Sequence, residues 1–511
     1  MTLRRPCIAL VQLSVGIAIL WTNAAQCAQP LAAIDWLTDS PTGERHKALQ
    51  HSDGRTSHAN SALPVPVRTG GLSGYNINAA GLITAQTAQL PSDLWPPTQI
   101  TQAAELLPRI PRLKSKEANL LLAALLMAEN DTARMSDTVP LFMARIEKLV
   151  DLGALEAATT LVSLASAYED SRLIRLALDI ALIRGPAKQE CARAITSNIL
   201  VDEQDRLAEI YCEAMAQNWQ QAEFLLITSE ALGLLSEIDL ELMWQFVDPA
   251  YADTTRAPTV QIDQLSPIRF QLIEGLGATP FLNEAPTPYQ WSYLNGRTGW
   301  KLQIEAAEKL ARASVVSGNA LLEYYTARKP SASGGVWDRA AAVQRLDTAT
   351  PPNRSTAFYE AYEVFNRTGD ILLLAEIVYA LDLGRDNNIA NDPLWTELMI
   401  LAHPQMVEAD RVAHPLPRIS FAMALLSHDH EAAHALQGTD PLVSAVWHAM
   451  SVPVTAQAPT GPKIAQALIE LAKGENGDMY AVNKSLRHLR AMGLARYAAR
   501  IAAQLTIMGP Q

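Results

Sequence analysis

Cysteine is scarce, with four in 511 residues. Two of these, Cys7 and Cys27, fall in the first 28 residues. The remainder therefore has neither a cysteine-rich zinc module nor a dense disulfide framework. Aromatic residues make up only 6% of the chain, while alanine and leucine are abundant. That balance favours helix over sheet. Beyond the N-terminus no run of about 20 apolar residues occurs, so no membrane-spanning helix is expected in the mature chain. Positive charge is in deficit, with 41 Lys and Arg against 53 Asp and Glu and a net charge of −12. A chain this acidic, without a basic patch, is a poor ligand for nucleic acid or an anionic lipid surface. The sequence also lacks a GxGxxG fingerprint, a phosphate-binding loop ending in Gly-Lys-Ser/Thr and a GxSxG nucleophile elbow. No nucleotide, flavin or other cofactor is implied.

What is present begins with MTLRRPCIALVQLSVGIAILWTNAAQCAQP. Arg4 and Arg5 precede an apolar run from Cys7 to Trp21, and small residues Ala24, Ala25 and Ala28 offer cleavage points. This reads as a cleaved secretory signal peptide over 1–28, hence a periplasmic protein. LRRPCIAL lacks the rest of a twin-arginine pattern, and Gln26 stands where a lipoprotein signal needs a small residue before Cys27. Residues 29–98 form a Pro/Gly/Ser-rich linker, mostly disordered by composition. Two apolar islands in it, Ala33–Leu37 and Leu90–Pro97, are expected to dock on the folded body.

Helical periodicity begins near Thr101 and continues almost to the end. Four turn-plus-helix starts align: GALEAATTL from Gly153, QNWQQAEFL from Gln217, HDHEAAHAL from His428 and GLARYAARI from Gly493. Ala158, Ala222, Ala433 and Ala498 coincide, and Leu161, Leu225, Leu436 and Ile501 follow three residues later. A small residue lets two helices approach and a large one fills the space beyond. The expected fold is all-α, an irregular α-solenoid of antiparallel helix pairs, degenerate and tetratricopeptide-like in architecture only. Proline-rich breaks divide it into an N-terminal array at 99–248, a connecting segment at 249–299 with one short helix, and a C-terminal array at 300–511.

Within the N-terminal array, Cys191 and Cys212 lie about ten residues either side of a polar turn at 202–204. Equal distances from the turn place them at equal height on two antiparallel helices. A disulfide needs Cα atoms about 5.5–6 Å apart, closer than ordinary helix packing. Ala192, Ala208 and Ala214 are the small neighbours expected to permit it. An exported chain with two remaining cysteines is expected to pair them.

Two stretches carry candidate chemistry. His430-Glu431-Ala432-Ala433-His434 matches HExxH, in which two histidines bind zinc and the glutamate activates water. It falls on the shared repeat turn, Gln437 stands where the extended motif has glycine, and no glutamate occurs between Glu431 and Glu470. Asp429 and His428 read instead as a helix cap and a turn. The other stretch is Ser331-Ala332-Ser333-Gly334-Gly335-Val336-Trp337-Asp338-Arg339, a Ser/Gly-rich helix start that can present N–H groups to an anion. Trp337, Asp338 and Arg339 are its candidate binding residues. Near the C-terminus, Lys484, Arg487, Arg490, Arg496 and Arg500 form the one locally basic segment, either a solvated face or a surface for an acidic partner.

A helical solenoid of this kind invites comparison with soluble lytic transglycosylases, but their catalytic Glu-Ser pair occurs nowhere in the chain. Through PSASGGVWDR, GWKLQIEAAEKLARA, AIDWL and the CARA and YCEAMAQNWQQAEF segments, the chain resembles a family of secreted alphaproteobacterial proteins often labelled antifreeze-glycopeptide-related. The tandem Ala-Ala-Thr repeats of that label are absent. The resemblance covers most of the chain and implies an envelope location and a helical fold, with no established activity. The expectation is a non-catalytic periplasmic scaffold or adaptor for another envelope protein. The alternatives are a peptidoglycan-metabolism accessory factor that contacts the wall, or a zinc hydrolase using His430, Glu431 and His434.

Overall fold

The computed structural model describes residues 77–130, 139–165, 170–200, 205–248, 260–277, 284–296, 298–407 and 414–509. The signal-like N-terminus, the Ala33–Leu37 island and the polar turn at 202–204 lie outside these residues. Among them the chain is all-helical, and none of its helices is long and apolar enough to cross a membrane.

The first run of helices is α1 (Ile100–Leu106), α2 (Lys116–Met127), α3 (Pro140–Leu152), α4 (Leu155–Leu164), α5 (Ser171–Arg184), α6 (Lys188–Thr196), α7 (Arg206–Met215), α8 (Trp219–Leu232), α9 (Glu237–Val247) and α10 (Pro267–Gly275). The second begins with α11 (Trp300–Arg312), α12 (Gly318–Thr326), α13 (Val336–Asp347), α14 (Pro351–Arg367), α15 (Ile371–Ala380), α16 (Asn387–Ala390) and α17 (Pro393–Ala402). It ends with α18 (Pro417–Leu426), α19 (His430–Leu436), α20 (Pro441–Ser451), α21 (Gly461–Glu475), α22 (Met479–Ala491) and α23 (Ala495–Met508).

The repeat turn has a definite backbone. Gly153, Gln217, His428 and Gly493, the first residues of the four aligned segments, all have positive φ, and a new helix starts two residues later. Gly369 and Gly477 do the same before α15 and α22, which the alignment missed. At each of the six, the N–H of the following residue bonds to the carbonyl five residues back at 2.8–3.2 Å. This is the Schellman stop, which satisfies the last carbonyls of one helix and here leads straight into the next. The residue five positions on from each turn is fully buried: Ala158, Ala222, Leu374, Ala433, Val482 and Ala498. At four of the six this residue is alanine, which lets the paired helices pack closely, while Leu374 and Val482 fill the same place in the other two.

The connecting segment is part of the core. It contributes α10 and two 3-10 helices, Ile262–Gln264 and Thr287–Leu294, rather than one short helix. Thr287–Leu294 packs on α3, α5 and α11, with Tyr289, Gln290 and Tyr293 buried. Trp291 Nε1 donates to Gly153 O at 2.7 Å, and Lys309 Nζ to Ala285 O at 2.6 Å. These bonds tie the two arrays across the break seen in the sequence.

The arrays also meet at their far ends. Helix α23 packs on α2 as well as on α17 and α18, and α21 packs on α1 and α2. The Glu475 carboxylate at the end of α21 accepts from Lys114 N and Ser115 N at 2.7 and 2.8 Å, at the start of α2. Ser115 Oγ caps α2 and donates to Gln504 Oε1 of α23 at 2.7 Å, while Gln504 Nε2 donates to Leu401 O. Lys116 is ion-paired with Glu376 on α15, whose second oxygen lies 3.4 Å from His403 Nε2.

The C-terminal part of the expected linker, residues 77–98, is ordered into this junction. Leu94 and Trp95 of the second island are buried, and Gly461 N donates to Leu94 O at 2.6 Å. A Cβ on Gly461 would lie 2.0 Å from the Trp95 ring, so glycine is required for the indole to lie on α21. Upstream, Ile83 and Ala128 form a β-bridge, and the fully buried Arg145 donates to the carbonyls of Ala80, Leu126 and Ala128. Burial alone pulls the Arg145 guanidinium down to about 10.

Candidate functional site

The disulfide joins Cys191 of α6 to Cys212 of α7 across a Cα–Cα distance of 4.9 Å. Ala208 and Ala214 are buried beside it as expected, but Ala192 is exposed and its part is taken by Ala187 and Ala194. Closing a loop of 21 residues contributes about 3 kcal/mol by constraining the unfolded chain.

The Trp337–Arg339 stretch places its three residues in different surroundings. Gly334 and Gly335 take positive φ and deliver the chain into α13, and Asp338 is spent accepting from Gly334 N at 2.9 Å. Trp337 is half-buried, its ring 5.1 Å from that of Trp300. Arg339 turns inward. Its Nε and Nη2 donate to Glu308 at 2.8 and 2.6 Å, and Nη1 lies 3.2 Å from Asp370. Tyr325 Oη donates to Glu308 at 2.6 Å and Arg312 Nε to Asp370 at 2.9 Å. Although burial opposes charge, the Glu308 hydrogen bonds hold Arg339 firmly protonated. Burial, with Glu308 alongside, pushes the Tyr325 phenol far up, so it stays a neutral donor. Asp338 and Arg339 thus have separate partners, and the arginine clamps α11, α13 and the turn before α15. A buried, fully paired cluster fixes geometry.

The HEAAH stretch forms the seven-residue α19. Asp429 caps it, accepting from Ala432 N at 2.9 Å, and His428 is the positive-φ turn residue. His430 and His434 are exposed and rest against Trp447, with ring centroids 6.4 and 5.5 Å away. Glu431 is exposed as well. Among the described residues no three His, Cys, Asp or Glu side chains are grouped to hold a metal ion. Repeat geometry accounts for Ala433, and packing on Trp447 for the two histidines.

Among the described residues, large apolar side chains are left exposed on the outer face of α8, the helix after the disulfide pair. Ala222 and Leu226 face the core, while Phe224, Ile227 and Leu232 are 62%, 50% and 66% exposed. Trp219 at its start is 48% exposed. Phe224, Ile227 and Ala231 follow one another at helical spacing, so they line one stripe. Glu223 and Glu230 flank it, and Glu230 also accepts from Trp244 Nε1 at 3.2 Å. The sequence hid this face because polar and apolar residues are mixed all round α8, so no polar stripe marks its outer side.

Compared with protein-family models, with curated proteins and with solved structures, the chain matches none.

Proposed function

We propose that this protein is a non-catalytic helical-repeat scaffold, exported to the periplasm, that binds another cell-envelope protein through the outer face of α8. The observation that carries the reading is the exposed stripe of Phe224 and Ile227, extended by Leu232 and Trp219. Burying large apolar side chains contributes roughly 1.5–3 kcal/mol each, and such side chains clustered on one helix mark an interaction surface more than chance exposure does. Glu223 and Glu230 give the stripe an acidic rim, which fits a partner whose apolar patch is flanked by Lys or Arg. The same rim would repel a second copy docked on itself. The secretory N-terminus, the disulfide and the resemblance to secreted helical proteins support export.

The test is crosslinking in the native periplasm followed by mass spectrometry, comparing wild type with Phe224→Asp/Ile227→Asp. Both residues are exposed, so the melting curve should stay within about 0.5 kcal/mol of wild type. Loss of a specific crosslinked protein in the double variant is expected. An unchanged crosslink pattern, or recovery of the protein only from the cytoplasmic fraction, would overturn the reading. Retention on peptidoglycan sacculi regardless of Phe224 would favour the wall accessory role instead.

A further inference from the structure

The basic C-terminal segment resolves into residues with quite different fates. Arg490 Nη1 is spent on the carbonyls of Ala449 and Val452, and Arg500 Nη1 lies 3.7 Å from the buried Glu117 carboxylate. Arg487 is half-buried and has no hydrogen-bond or ion-pair partner among the described residues. It stands on α22 beside Lys484 and His488, under the segment that joins α20 to α21. That segment, residues 453–459, has no regular structure and is held by Gln457 N donating to Ala491 O at 2.8 Å.

Between the segment and α22 lies a groove of about 290 Å³. Gln457 lines one wall, and Tyr480, Asn483, Lys484, Arg487 and His488 line the other. No carboxylate lines it, in a chain with twelve more acidic than basic residues. Lys484 is also 3.4 Å from Glu470 Oε1, which shares its charge with Lys473, so Lys484 is held in place from behind. The excess positive charge in the groove therefore rests on Arg487. Burial lowers the basicity of His488, and Lys484 and Arg487 push it the same way against Glu470. Tyr480 stands at the mouth, 76% exposed, offering a flat apolar ring with a polar edge.

We propose that this groove binds an anionic sugar, with the carboxylate or phosphate on Arg487 and Lys484 and the ring against Tyr480. Guanidinium takes planar oxyanions in a bidentate fashion, and charge-assisted bonds of this kind are the strong ones. The Gln457 amide can donate and accept, and Asn483, whose Nδ2 already donates to Ala445 O at 3.1 Å, offers its carbonyl oxygen, which suits hydroxyl groups better than a second carboxylate. The volume sits at the lower end of small-molecule sites, matching a monosaccharide unit. This site is separate from the α8 face and does not depend on it.

Titration calorimetry of the full mature chain tests this with glucuronic acid, glucose 6-phosphate, glucose and inorganic phosphate. At least one of the two acids should bind tenfold or more tightly than glucose, and which one does so identifies the anion as carboxylate or phosphate. Arg487→Met should weaken that binding at least tenfold, and Lys484→Met should weaken it less. Tyr480→Ala should weaken the sugar acid while leaving inorganic phosphate unchanged. Absence of binding by both acids, or binding indifferent to Arg487→Met, would overturn the proposal. Inorganic phosphate binding as tightly as glucose 6-phosphate, with no effect of Tyr480→Ala, would reject the sugar. Polyglutamate binding more tightly than either acid would reassign the groove to an acidic peptide and equally defeat the proposal.

Discussion

His428 and Gln217 occupy backbone positions made for glycine. Their φ angles of +58° and +66° match those of Gly493 at +78° and Gly369 at +72°, which hold the equivalent place in other repeats. A left-handed conformation costs an L-residue roughly 1–2 kcal/mol. Replacing it with glycine relieves that strain but adds back roughly 0.5–1 kcal/mol of unfolded-state entropy. His428→Gly and Gln217→Gly should therefore each stabilise the protein by about 0.5–1 kcal/mol. Gly493→Ala is the mirror experiment. A Cβ there meets nothing within 4 Å, so its cost of about 1 kcal/mol is purely conformational. Urea unfolding followed by circular dichroism measures all three as shifts of the midpoint at constant slope. If both glycine variants lose stability, or Gly493→Ala is neutral, the positive-φ turn is not the element that fixes the repeat.

Two further outcomes follow from the buried charges. Arg339→Ala removes the two-pronged partner of the buried Glu308 carboxylate, leaving it only Tyr325 and the more exposed Arg312, and should cost roughly 3 kcal/mol, seen as an early urea midpoint. A loss under 1 kcal/mol would refute the clamp, and Arg339→Met with Glu308→Gln should recover much of the stability. Glu376 sets the acid limb of stability. Burial pushes its carboxyl up, but Lys116 and His403 outweigh burial and bring it down to about 2, against 4.5 ordinarily. A depressed carboxyl contributes stability that is complete above about pH 4.5 and is lost as pH falls towards 2, at most about 3 kcal/mol. Glu376→Gln should flatten that limb of the stability–pH curve, and an unchanged limb would show that the junction does not rely on the pair.

Much of the architecture was legible because it is local. Helical periodicity, the Asp429 cap and the Ala158-type positions arise from contacts between residues a few places apart, and composition with spacing is enough to read them. The Cys191–Cys212 pair is nearly as local, with a separation of only 21 residues on consecutive helices. What misled the reading had the same cause. Arg339 looks alike in sequence whether its guanidinium meets water or Glu308, 31 residues away. HEAAH, by contrast, was readable as a repeat start from the alignment alone, and only its packing on Trp447 was not.

By itself, then, the sequence determined an all-α chain, its repeat turns and its staple, because hydrogen bonds and packing within a helix pair are written in neighbouring residues. Only the tertiary structure decided that Trp95 would lie on Gly461 and that Glu475 would cap the start of α2, some 360 residues earlier. It alone left Phe224 uncovered and Arg487 without a partner among the described residues. Such contacts depend on where distant helices come to rest, and no periodicity or spacing records that.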